Sequence, residues 1–300
     1  TSDAGTRARL WLLLSSALLR ADRPEDVGHV VARALADAPP PHERALLQVN
    51  HASQLFSRGL LPEAEAAARS ALDLAEQSVD AEASGYAALT LASIWHSLGR
   101  MEDADELAAR STACFERAQQ VSGAVRSLSL RATIAGARRD GARAGDLLRE
   151  ALGRARAGGL RLATEEILVS QTALFVESGR WKEGEQALGE ALRLALQDGR
   201  PRGVAVAYAN LALLDALSGR PSRARRRART AHRLMRAYLP RLEPFARRVL
   251  AQAYRSSGRL AAAERAAAAA ISGAIRLGLG AELEWARLEY GRIRAVEGNK

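Results

Sequence analysis

Six glycines, Gly59, Gly99, Gly179, Gly219, Gly258 and Gly298, are separated by 40, 80, 40, 39 and 40 residues. A fixed step of this length means that one supersecondary unit is built again and again, and this limits the fold more than any composition does. The strings Leu98-Gly99-Arg100, Ser178-Gly179-Arg180, Ser218-Gly219-Arg220 and Ser257-Gly258-Arg259 surround four of the glycines. The long step hides one unit in which Arg139 stands where a glycine is expected. Gly141 follows closely and is available for that turn.

Other columns keep the same phase. Five residues after each turn sits a small residue: Ala64, Ala104, Ala144, Gly184, Ala224 and Ala263. Seven before it sits another: Ala52, Ala92, Ala132, Thr172, Ala212, Ala251 and Gly291. Four before comes a larger one, Leu55, Trp95, Phe175 or Tyr254, and twelve after come Ala71, Ala151, Ala191, Ala231 and Ala270. Glycine relieves the left-handed conformation that ends a helix. Small residues on both flanks let two helices approach closely, and the bulky one fills the space between one helix pair and the next.

Between the columns, apolar residues recur at helical spacing, as in Leu168, Thr172, Phe175 and Val176, then Ala187, Leu188, Ala191 and Leu192. Strand-forming residues are sparse and no Asn-Gly hairpin signal occurs. Pro24, Pro62 and Pro221 fall where second helices start, a position that needs no N–H. The expected fold is all-α: a right-handed α-solenoid of about seven helical hairpins with a lone helix at the C-terminal end. As a single domain over 1–300, its repeats cover 7–38, 42–78, 80–119, 122–157, 160–198, 201–238 and 241–277, with the terminal helix at 281–297. The apolar segment Leu10–Leu19 resembles the core of a secretory signal, yet it falls in register with the repeats and is read as a first packed helix. With no initiator methionine, the chain is read as a processed protein or a piece of a longer one.

The columns resemble the tetratricopeptide repeat. Its small–aromatic–glycine run followed by alanines is matched by Ala92, Trp95, Gly99 and Ala104, and by Ala251, Tyr254, Gly258, Ala263 and Ala270. The step of about 40 is longer than the standard 34. With Asn210-Leu211-Ala212 in a first helix and Ser-Gly-Arg at the turns, the array is similar to the sensors of maltose-regulator-like (MalT-type) bacterial STAND/LuxR-type regulators. Kinesin light chains also use long repeats. The resemblance implies a non-enzymatic binding or sensor domain for a peptide, protein or small effector, part of a cytoplasmic signalling or transcription regulator. A structural assembly scaffold is the alternative, and a nucleic-acid-binding array ranks below both. No Walker sequence is present, so a nucleotide switch is not in this chain.

The residues point to no catalyst, cofactor or metal. The five histidines never form a ligating pair, no nucleophile elbow or C-x-x-C occurs, and the lone Cys114 reads as packing. The pair Gly158-Gly159 reads as an inter-repeat turn. No apolar run is long enough for a bilayer. Asp215 occupies the column of Leu55 and Trp95, where a carboxylate would need a partner; a local rotation to solvent is the preferred reading.

Net charge is +10, and 42 of the 44 basic residues are arginine. The densest run is Arg223 to Arg229, extended by Arg220, Arg233 and Arg236. Because Ala224, Ala228 and Ala231 take the buried face, these arginines are expected to splay outward. They form a solvated surface or one for an acidic partner, and the absence of interleaved aromatics argues against nucleic acid.

In such an array first-helix residues that avoid the packing columns line the concave wall. These are Asn50, Ser53 and Phe56; Tyr86, Ser93 and His96; Arg126, Ser129 and Thr133; Glu166 and Ser170; Asn210; Phe245, Arg248, Gln252 and Arg255; and Trp285, Glu289 and Arg292. A carboxylate ligand is expected near Arg248, Gln252 and Arg255, gripped by bidentate forks, with Asn210 reaching its backbone.

Overall fold

The computed structural model describes residues 2–20 and 24–298. It contains helices and no strand among them. Two compact units divide the chain, 1–163 and 164–300.

In the first unit the helices are α1 (Ser2–Arg20), α2 (Pro24–Ala36), α3 (Pro41–Ser57), α4 (Leu61–Gln77), α5 (Ala81–Ser97), α6 (Met101–Arg117), α7 (Val121–Ala137) and α8 (Gly141–Ala157). Helix α9 (Arg161–Glu177) comes next. There follow α10 (Trp181–Gln197), α11 (Pro201–Leu217), α12 (Pro221–Tyr238), a 3-10 turn at Pro240–Leu242, α13 (Glu243–Arg255), α14 (Leu260–Arg276) and α15 (Gly280–Gly298). Successive helices pair as hairpins, and each hairpin packs on the next within its unit. The arrangement is an all-α solenoid of tetratricopeptide-like hairpins, with α15 unpaired at the end.

The repeat has a finer period than the glycines disclose. From α3 to α11 every helix has 17 residues and starts 20 after the one before. Each three-residue turn contains one left-handed residue, alternately a glycine of the column and a position midway: Val79, Gln119, Gly159 and Gly199. The missing column glycine needs no substitute nearby. Arg139 itself adopts φ 62°, and Gly141 instead opens α8. The stop is made by hydrogen bonds that do not depend on the side chain. Arg139 N–H donates to the Gly136 carbonyl and Asp140 N–H to that of Ala135, as Gly59 and Leu60 donate to Phe56 and Leu55.

The alanine columns are the core. In the first unit Ala52, Ala64, Ala68, Ala71, Ala88 and Ala92 are fully buried around Val49, Leu91 and Ile94. In the second, Ala205, Ala209, Ala212, Ala224, Ala228 and Ala231 are buried around Met235 and Val249. Leucines of α1 join the first core on one face only: Leu12, Leu18 and Leu19 pack against Val27, Val31 and Leu47, while Leu10, Leu13 and Leu14 are exposed. Phe115, absent from the columns, fills a socket between α5 and α7 floored by two glycines. A Cβ on Gly123 would lie 2.3 Å from its ring and one on Gly85 2.9 Å. Cys114 beside it is buried and free.

Candidate functional site

In the first unit the first helices touch one another in a row, α1 to α3, α3 to α5 and α5 to α7. Tyr86 on α5 lays its ring edge-on to Phe115 at 4.8 Å, which fixes its orientation. Arg126 projects from α7 over the same ring at 6.0 Å, and no acid pairs with it among the described residues. Two turns further along α5, Ser93 and His96 are half-buried. Burial lowers the His96 pKa below the ordinary value, so its imidazole is neutral at pH 7. Asn50 is engaged internally: its Nδ2 donates to Ser15 Oγ at 2.8 Å and Ser16 Oγ at 3.0 Å, tying α3 to α1.

In the second unit α11, α13 and α15 form a corresponding row. It brings Phe245, Arg248 and Trp285 together, the guanidinium lying 5.1 Å and 6.0 Å from the two rings. The expected ligand forks are occupied, however. Arg248 Nε donates to Glu282 at 2.7 Å, and Arg255 Nε to Glu289 at 2.6 Å. Glu289 is buried and Arg292 approaches it at 3.8 Å. Gln252 is buried, and Asn210 donates back to the Val206 carbonyl of its own helix. At the expected carboxylate grip, α15 supplies carboxylates to both Arg248 and Arg255, because it lies against α13 at the register that brings Arg and Glu face to face.

A correction concerns Asp215. It does not rotate to solvent but is fully buried, and Arg227 Nη1 donates to its Oδ2 at 2.6 Å. Arg220 Nε stands 3.1 Å from Oδ1 without hydrogen-bond geometry, and Arg223 Nε stands at 3.7 Å. Arg220, Arg223 and Arg227 also converge on Glu185 of α10. The Arg220 hydrogen bond, reinforced by Arg223, holds Glu185 down to about 2. Part of the arginine run thus turns inward instead of splaying out.

Glu185 belongs to a column that the sequence carries but its alanines and glycines overshadow. One residue after the small column stand Glu65, Asp105, Glu185 and Glu264. Each accepts from the helices that follow its own hairpin. Trp95 and Arg100 donate to Glu65, Arg131 and Arg143 to Asp105, and Tyr290 and Arg294 to Glu264. The next hairpin presents its donors there, so the acid welds neighbours together.

Charge is unequally divided. Residues 1–163 hold 20 basic and 20 acidic side chains, whereas 164–300 hold 24 and 14. The whole net charge of +10 lies in the second unit. On α12, Arg225, Arg226, Arg229 and Arg233 have no acidic partner among the described residues. With Ser222 and Thr230 they line an open hollow of about 520 Å³.

No group of His, Cys, Asp and Glu among the described residues could hold a metal ion. No described helix is long and apolar enough to cross a membrane. The geometry offers extended helical surfaces with anchored aromatics and free guanidinium groups, which suits binding.

No family model matches the sequence, and no curated protein matches it. Solved structures do match. A STAND protein with a tetratricopeptide-repeat sensor from Pyrococcus horikoshii superposes with TM-score 0.70 at 17% identity, over 99% of this chain and 49% of that one. The chain thus spans about half the length of that protein. A Rap protein complexed with competence and sporulation factor gives TM-score 0.60 at 12% identity, covering 98% of both chains. The quorum sensor NprR from B. thuringiensis, in its apo form, gives 0.61 at 10% identity over 97% of this chain and 87% of that one. At these identities the likeness concerns the backbone, and the fold of this chain is the tetratricopeptide-repeat fold.

Proposed function

We propose that this chain is a non-enzymatic binding domain that recognises a peptide or protein segment on its first-helix face, as the sensor part of a larger signalling or transcription regulator. The observation that carries the reading is the row of mutually touching first helices, α1, α3, α5 and α7. Stacked hairpins turn such a row into one extended surface on which a ligand meets several repeats at once. A Rap protein and its factor, NprR as a quorum sensor and a STAND sensor use the same fold, which supports this reading.

Within the first unit the contact residues are Tyr86, Ser93, His96 and Arg126. Tyr86 offers a ring already held by Phe115, so little entropy is lost on binding. Arg126 supplies a fork that no carboxylate among the described residues occupies, and the neutral His96 can both donate and accept.

The test is selection of peptides from a random displayed library on the purified chain. The selected peptides should bind more weakly to Arg126→Ala and His96→Ala by about tenfold, equivalent to ~1.4 kcal/mol. Absence of any selected peptide, or peptides indifferent to both changes, would refute the reading.

A further inference from the structure

Helix α12 carries seven arginines and no acid. Its buried stripe, Ala224, Ala228, Ala231 and Met235, packs the helix into its unit. Arg223 and Arg227, one turn apart, face α10 and jointly hold Glu185. Arg225, Arg229 and Arg233 repeat the same one-turn spacing on the solvent side, with Arg226 beside them. No acid among the described residues neutralises them. Arg225 even stands in the column that in four other repeats reads Glu65, Asp105, Glu185 and Glu264. At that site an acid that would weld to the following hairpin is replaced by a cation facing outward.

We propose that the Arg225–Arg229–Arg233 face of α12 docks an acidic helix of a partner protein. Four residues of helix rise about 6 Å, so carboxylates one turn apart on a partner helix meet guanidinium groups one turn apart here. The α10–α12 contact is the internal precedent: a helix offering a carboxylate to arginines at this spacing. Each exposed pair contributes little, but a ladder of three with bidentate geometry gives direction and register. The surplus charge of the second unit draws an acidic partner toward it. Nucleic acid fits less well, because no aromatic side chain lines the hollow to stack a base. This surface lies on a second helix and is independent of the first-helix site.

The experiment measures fluorescence anisotropy of three labelled probes with the whole chain at about 0.15 M salt. The probes are an alanine-rich helical peptide with glutamate at every fourth position, the same peptide with lysine instead, and a short single-stranded DNA. The glutamate peptide should bind, and the lysine peptide should not. The triple variant Arg225→Ala, Arg229→Ala, Arg233→Ala should weaken binding about tenfold or more. The single change Arg229→Glu, the milder test of folding, should do so by a similar factor, with helicity checked by circular dichroism. Arg265→Ala on α14 should leave affinity unchanged. Failure of the glutamate peptide to bind, undiminished binding by Arg229→Glu, or tighter binding of DNA than of the peptide would each overturn the proposal.

Discussion

Arg227 reaches from α12 back to Asp215 on α11 and donates to a carboxylate with no exposed surface, at 2.6 Å. The bond joins the two helices of one hairpin at the column where other repeats place Leu55, Trp95 or Phe175. Removing the acid leaves a largely buried guanidinium that keeps only Glu185, at 3.5 Å. Asp215→Ala should therefore cost about 2–3 kcal/mol, whereas Arg226→Ala should cost less than ~0.5 kcal/mol. The double change Asp215→Leu with Arg227→Leu should recover most of the loss, since an apolar pair needs no desolvation. Urea midpoints of the variants decide this; an Arg226→Ala loss equal to that of Asp215→Ala would contradict the pairing.

Acid should weaken the second unit through Glu185. Its folded pKa lies near 2 against an ordinary value of 4.5, so the native state binds fewer protons between those limits. Stability from this group is full above pH 4.5 and is lost as pH falls toward 2. With about a third of the side chain exposed, solvent screening leaves this contribution at about 1 kcal/mol. In Glu185→Gln the difference from the parent should be present at pH 7 and vanish near pH 2, as read from denaturant midpoints across that range.

The Arg255–Glu289 pair should anchor α15. Among the described residues, Arg255→Ala leaves buried Glu289 with only Arg292 nearby, at 3.8 Å. Amide exchange in α15 should accelerate while that in α11 stays slow. Unchanged protection in α15 would show that the pair does not hold the helix.

The Phe115 socket admits no added carbon. Gly123→Ala puts a Cβ 2.3 Å from the ring and should lower stability by about 1–3 kcal/mol. Arg139→Gly relaxes the left-handed φ of 62° and should raise stability by about 0.5–1 kcal/mol. Thermal unfolding of both variants checks these opposite signs.

Which residues face the core could be read from the chain alone. Gly59, Gly99, Gly179 and Gly219 mark helix ends because left-handed turns disfavour a Cβ, and Ala64, Ala104 and Ala224 mark close helix contacts because nothing larger fits. Such rules act over a few residues, so they leave a visible period. Arg139, at φ 62°, shows the limit of the glycine signal: the hydrogen bonds of the turn outweigh the preference of one residue.

The all-α repeat, its hairpins and its alanine core are legible in the chain, since these follow from local spacing. Which arginines are free depends on how the helices pack. Arg227 and Arg229 look alike in the chain, yet they point to different sides of α12, one to Asp215 and Glu185 and the other to solvent. Likewise Arg248 and Arg255 meet Glu282 and Glu289, each 34 residues away, because α13 and α15 lie side by side. A long flexible side chain takes whatever partner the neighbouring helix brings within reach, and that depends on helix register, which no local pattern encodes.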